Sequence, residues 1–147
     1  MDTKRFGNIG EAVATAMFVK YGIPVYLPFG DNEKADLIAE FGRKLNKIQV
    51  KTSIKATSGK MIFDLTSCTN HRNNGNRHKY TSNEIDYFFC YNIERDKSFL
   101  IKVSENPMSE MTIRYELPKN KQTKNIHMED DVLFENVIKE LNIKLFS

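Results

Sequence analysis

Apolar residues recur at helical spacing early in the chain and then switch to alternation. Phe6, Ile9, Val13, Ala16 and Met17 fall every three or four positions, and residues 12–19 are apolar except for Thr15. This pattern predicts a helix over 3–21 that is apolar nearly all round and therefore largely buried. Tyr21-Gly22 and then Ile23-Pro24 end it, because proline cannot continue a helix. Downstream the alternation predicts strands over 24–28, 35–41, 45–54 and 60–66. Gly30-Asp31-Asn32, Gly42-Arg43-Lys44 and Ser58-Gly59 supply the turns between them. Two more strands are predicted over 85–92 and 98–103, joined by Glu94-Arg95-Asp96-Lys97, and a further one over 111–117.

Residues 67–80 are polar, basic and rich in Asn and Gly, with no period, and predict a long loop. Residues 119–125 form a second basic loop. Asp130 or Asp131 is the expected cap of a final helix whose apolar face is Val132, Leu133, Asn136, Val137 and Leu141, with Phe134 nearby. The order is helix, several strands, helix, with no repeat and no linker. One α/β (α+β) domain over 1–147 follows, a central sheet with a helix from each end of the chain.

Composition adds limits. The 40% hydrophobic fraction supports one core, and ten phenylalanines with six tyrosines fill much of it. No stretch approaches the ~20 apolar residues needed to span a bilayer, and MDTKRFGN has no apolar segment behind its basic residues, so no secretory signal is expected. Cys68 and Cys90 form no CxxC. Cys90 lies in the apolar run Tyr87-Phe88-Phe89-Cys90-Tyr91, which predicts a buried free thiol and a reducing, cytoplasmic setting. The net charge is +3, but residues 128–147 carry −3, leaving +6 on the rest. Basic residues interleaved with asparagines at 70–79, and lysines at 119, 121 and 124, suit phosphate and base-edge contacts. A solvated loop with incidental charge is the alternative.

The candidate chemistry sits on the first hairpin. Alternation puts Ile48, Val50 and Ile54 on one face of a strand and Gln49, Lys51 and Ser53 on the other. The hairpin sets the preceding strand, which opens with Asp36, alongside. A carboxylate, an amide and a lysine thus converge near one end of two paired strands. A hard cation such as Mg²⁺ takes oxygen ligands, here Asp36, a backbone carbonyl such as that of Val50, and the Gln49 side-chain oxygen. Such an ion with a nearby lysine is what phosphodiester hydrolysis uses.

Asp36 followed by Gln49-Val50-Lys51 across a hairpin resembles the PD-(D/E)XK nuclease signature, with Ala35-Asp36 in place of Pro-Asp and QVK in place of (D/E)XK. The segment Gly7-Asn8-Ile9-Gly10-Glu11-Ala12 resembles the helix that contributes a further Glu in many of these nucleases. Small size, the glutamine and the basic loop look most like the homing endonucleases of bacterial group I introns. The resemblance implies a restriction-endonuclease-like core with a central mixed sheet. It also implies Mg²⁺-dependent cleavage of double-stranded DNA at specific sites, and a homo-oligomer, at least a dimer and up to a tetramer. By the same resemblance Glu11, Asp36, Gln49 and Lys51 are the catalytic residues, with Asp36, Glu11 and the Val50 carbonyl on the metal.

Gln49 departs from the pattern, since it cannot supply the second negative charge of Asp or Glu. Glu11 can restore it. Glu11 is also the only charged residue between Arg5 and Lys20, and a carboxylate in so apolar a helix calls for a partner. Each residue has a plainer reading as well. Glu11 closes a capping box with Asn8, Gln49 and Lys51 are exposed strand residues, and Asp36 merely begins a strand.

The loop is the expected DNA reader. Arg72 and Arg77 suit guanine edges, and Asn70, Asn73, Asn74 and Asn76 suit adenine. Lys55, Lys60, Lys79, Lys119, Lys121 and Lys124 suit phosphates. The three histidines have no recognisable ligand spacing, which disfavours a zinc site. Asp86 reads as structural. A junction resolvase or restriction-type nuclease of the same fold, and a catalytically silent DNA-binding module, are the competing functions.

Overall fold

The computed structural model describes residues 3–30, 32–68, 77–120 and 126–146. Helix α1 (Thr3–Lys20) leads to strands β1 (Val25–Tyr26), β2 (Leu37–Phe41), β3 (Lys44–Ser53) and β4 (Lys60–Asp64). These are followed by β5 (Thr66–Cys68), β6 (Arg77–Lys79), β7 (Tyr87–Asn92), β8 (Lys97–Lys102), β9 (Glu110–Arg114) and β10 (Ile126–Met128). Helices α2 (Glu129–Val132) and α3 (Phe134–Phe146) close the order.

The β2–β3 hairpin sets the frame. Gly42 and Arg43 both hold positive φ, 64° and 58°, the turn whose twist matches that of the strands it joins. It fixes the register from Phe41↔Lys44 to Leu37↔Ile48. Buried Asn46 secures the hairpin by donating to the carbonyls of Ala39, Phe41 and Lys44 at 3.0–3.2 Å. Around it a mixed sheet runs in the order β1-β2-β3-β7-β8, with β3 and β7 parallel and the other pairs antiparallel. A second sheet has the order β10-β9-β4, and β5 and β6 form a separate antiparallel ribbon.

Both faces of the central sheet are covered. One face carries Leu37, Ala39, Ile48, Val50, Phe89 and Leu100, which pack with Ala14 and Phe18 of α1 and Phe134 and Ile138 of α3. Phe18 and Phe134 meet edge to face at 5.1 Å between centroids. On the other face Phe88, Cys90, Phe99 and Ile101 pack against Met61, Phe63, Met111 and Ile113 of the second sheet. A strand buried on both sides has no polar alternation to show, which explains the unbroken apolar run of β7. Cys90 is buried and free, as its setting predicts. Asp86 is structural, pairing with Lys44 and accepting from the Lys47 amide at 2.9 Å. Among the described residues no helix is long and apolar enough to cross a membrane.

Four expectations change. Helix α1 buries only the stripe Gly10, Ala14 and Phe18, while Ala12, Ala16 and Val19 are exposed. Small apolar residues all round a helix do not reveal which side the sheet takes. The strand predicted over 60–66 stops at Asp64, because the Asp64 carboxylate accepts from the Thr66 amide and hydroxyl and turns the chain. The expected loop over 67–80 includes paired strands β5 and β6. The terminal helix breaks at Leu133 (ψ 132°), which instead bridges to Phe99. Its buried positions are therefore Val132, Phe134 and Ile138, Asn136 is exposed, and Met128 rather than an aspartate stands at the N-cap.

Gly10 is where α1 touches β3. A Cβ there would lie 2.1 Å from Thr52 Oγ1 and 3.1 Å from Val50 Cγ1. The same approach leaves Thr52 Oγ1 buried without a hydrogen-bond partner. Gly10→Ala should therefore destabilise the protein by about 1–3 kcal/mol through overpacking, read as a lowered Tm. Adding Thr52→Ala, which removes the clashing atom, should recover most of that loss. No recovery would mean the helix, not the contact, needs the glycine.

Candidate active site

Asp36 sits one residue ahead of β2, at the open end of the hairpin. Its amide donates to the Ile48 carbonyl at 2.8 Å, so the ladder extends past the strand. Its Oδ2 accepts from the Val50 amide, also at 2.8 Å. The side chain is thereby tied to β3 two residues from that backbone bond.

Helix α1 brings Glu11 to the same place, because Gly10 has seated the preceding residue against Val50 and Thr52. Burial, followed by the neighbouring charge of Asp36, pushes the Glu11 carboxyl up to about 7. Burial also raises Asp36, against the opposing pull of the Val50 amide, Glu11 and Lys51. Beside the pair opens a cavity of about 410 Å³ lined by Leu27, Pro28, Gly30, Ala35 and both carboxylates. The capping-box reading of Glu11 fails, since α1 begins at Thr3 and Asn8 is already inside the helix.

Lys51 projects from β3 on the face opposite α1. Its Nζ donates to the Thr66 main-chain carbonyl at 2.7 Å and stands 5.1 Å from the centre of the Tyr80 ring. Burial holds the ammonium pKa below its ordinary value, while the charges of Asp64 and then Asp36 resist that shift. Gln49 shares this strand face, and its Nε2 reaches only the adjacent Val50 carbonyl, at 3.5 Å. Glu11 and Asp36 thus come together, Lys51 lies across the sheet within reach of the Asp36 charge, and Gln49 is bonded to neither carboxylate.

The donor set fits a hard divalent cation. Two partly buried carboxyls held against their mutual repulsion gain most when a cation joins them. Among the described residues no group of three or more His, Cys, Asp and Glu side chains comes together for a metal. A cation at this place would meet two carboxylates, with neutral oxygens as its further ligands.

The expected DNA contacts divide. Arg77 and Lys79 lie on β6, and Arg77 donates through Nε to Thr66 Oγ1 at 2.7 Å and pairs with Asp64. Lys60 and Lys119 instead flank a shallow cavity of about 490 Å³ together with Arg114. Lys60 begins β4 and Asp64 ends it, a separation of about 13 Å at strand rise. Lys55 is exposed just beyond β3. Asn70, Arg72, Asn73, Asn74, Asn76, Lys121 and Lys124 lie outside the described residues.

Sequence reasoning missed Asp64, Thr66, Tyr80 and Arg114. Asp64-Leu65-Thr66 is a local turn pattern, but nothing in its spacing links it to Lys51.

The raised Glu11 carboxyl has a consequence for stability. A carboxyl raised on folding binds its proton more tightly in the folded state, so stability falls as pH rises from the ordinary glutamate range through about 7. Glu11→Gln should accordingly raise the Tm of the metal-free protein at about pH 8.5 and leave it nearly unchanged at about pH 5. Equal effects at both values would mean that folding does not raise the Glu11 carboxyl.

The PD-(D/E)XK endonuclease family matches residues 1–135. Among solved structures, the bacterial homing endonuclease I-Ssp6803I is similar with a TM-score of 0.76 and 22% identity, covering 100% of this chain and 98% of that chain. At that identity the likeness is one of fold. A search of curated proteins finds no match. With the family's pattern extending over all but the last twelve residues, the chain belongs to the PD-(D/E)XK endonuclease family.

Proposed function

We propose that this nuclease is a Mg²⁺-dependent endonuclease that hydrolyses phosphodiester bonds at specific sites in double-stranded DNA, of the homing type. The observation that carries the reading is the meeting of Glu11 and Asp36 at the end of a strand pair whose other face presents Lys51.

Glu11 and Asp36 would hold the cation, with the Val50 carbonyl and the Gln49 side-chain oxygen as neutral ligands. When bound, such an ion draws charge from the phosphoryl oxygens and makes an attacking water more acidic. Asp36 is held in place by the Val50 amide, so it need not reorganise to meet a ligand. Lys51 offsets the negative charge growing at phosphorus, and its lowered pKa eases exchange of a proton with the water. Gln49 lacks the charge of the usual acidic residue, and Glu11 supplies it from the helix.

The homing assignment draws on the fold likeness over the whole length of both chains. It also draws on the basic ribbon that places Arg77 and Lys79 next to the lysine. In this reading Asn70, Arg72, Asn73, Asn74 and Asn76 read bases while Lys55, Lys60, Lys119, Lys121 and Lys124 meet phosphates. Two cuts on opposite strands need two active sites, so the working unit is at least a dimer, with a tetramer the larger candidate. The cytoplasm is the proposed setting.

The test is incubation with a randomised duplex library and Mg²⁺, alongside Lys51→Ala and Asp36→Ala. The parent should cleave at a recurrent site, and each variant should lose on the order of 10²–10³-fold in rate. Binding should weaken with salt at a slope of about −0.9 per phosphate neutralised. Site-specific binding without cleavage, unchanged in both variants, would identify a silent DNA-binding module, the reading that Gln49 favours. Cleavage confined to branched substrates would identify a junction resolvase.

A further inference from the structure

The catalytic assignment of Lys51 rests on the reading above, but what holds its ammonium is a matter of geometry. The acceptor at 2.7 Å is a main-chain carbonyl, that of Thr66, so the lysine goes where the backbone of residue 66 goes. That backbone is in turn fixed by Asp64. Its Oδ1 accepts from the Thr66 amide at 2.9 Å and from the Thr66 hydroxyl at 2.6 Å. The hydroxyl itself accepts from Arg77 Nε at 2.7 Å, and the same guanidinium pairs with Asp64 Oδ2. Each of the three residues is therefore bonded to the other two.

These residues sit at a junction. Asp64 ends β4, Thr66 opens the β5–β6 ribbon opposite Lys79, and Arg77 begins its return strand opposite Cys68. Asp64 is otherwise hard to account for. Its side chain is 54% exposed, so its pairing with Arg77 adds little stability. A carboxylate beside a phosphate-binding surface also repels the substrate.

We propose that Asp64, Thr66 and Arg77 form a positioning clamp that sets Lys51 from the base of the β5–β6 ribbon. The strand pair that meets DNA and the lysine that acts on phosphate are then one mechanical unit. Asp64 is a positioning residue here, acting through the Thr66 carbonyl.

Asp64→Ala and Asp64→Asn separate this role from simple charge, because both remove the charge but only Asn keeps an oxygen for Thr66. On the duplex selected by cleavage, Asp64→Ala should slow single-turnover cleavage at least about tenfold, with the DNA Kd unchanged or tighter and the Tm nearly unchanged. Asp64→Asn should recover most of the rate. Equal rates for parent and Ala variant, or equal behaviour of Ala and Asn, would overturn the clamp. A second measurement does not need cleavage. Hydrogen exchange of the Lys51 ammonium, followed by ¹⁵N NMR and assigned with Lys51→Arg, should be faster in Asp64→Ala and near parental in Asp64→Asn. If the parent cleaves no duplex while this exchange pattern holds, the nuclease reading fails and the clamp stands. Unchanged exchange in Asp64→Ala overturns the clamp whatever the cleavage result.

Discussion

The contact between Gly10 and Thr52 is the constraint on which the carboxylate pair depends. Only a residue without a side chain allows α1 to come so near β3, and the neighbouring position in the helix is Glu11. Asp36 is held from the other direction by the hairpin, through the Val50 amide. Two short-range devices, a missing Cβ and a tight turn, thus bring together groups 25 positions apart. Neither carboxylate would choose this arrangement for stability. Burial raises both pKa values, and the charge of Asp36 raises that of Glu11 further, so the apolar packing of α1 and α3 on the sheet must carry that cost.

In the proposed reading such strain has a chemical use. A pair of carboxyls that prefers to keep a proton at neutral pH is poised to exchange it for a cation, and the free energy of doing so includes relief of the repulsion. Lys51 is treated in the complementary way. Burial pushes its ammonium toward neutrality while Asp64 and Asp36 oppose that shift. The acidic and basic members of the site thus have pKa values displaced toward each other, the pattern expected where proton transfer accompanies bond cleavage.

The central sheet separates these roles in space. Ile48 and Val50 of β3 pack in the helical layer while Lys51, on the other face, reaches Thr66 of the ribbon. A single ten-residue strand therefore connects the carboxylate end of the site with the surface that carries Arg77 and Lys79. The other basic group, Lys60 with Lys119 and Arg114, belongs to the far end of β4 and marks a separate stretch of surface.

Much of this was legible in the chain before folding. Period-two alternation located the hairpin and its turn at Gly42-Arg43-Lys44, and so the approach of Asp36 to the strand of Gln49 and Lys51, while the structure narrowed the turn to Gly42-Arg43 and set the register. The isolated charge of Glu11 in an apolar helix marked it as a group in need of a partner. Other features were decided only by tertiary contacts. Which stripe of α1 is buried depends on where the sheet lies, and alanines and valines on every side do not encode it. The break at Leu133 arises because pairing with Phe99 displaces the helix that local propensity favours. The Asp64–Thr66–Arg77 cluster joins Lys51 across at least 13 positions of chain, and no local period records a hydrogen bond to a carbonyl on another strand. Backbone geometry repeats along a chain and so leaves a pattern in sequence. The meeting of side chains from different layers does not repeat, and only the packed structure determines it.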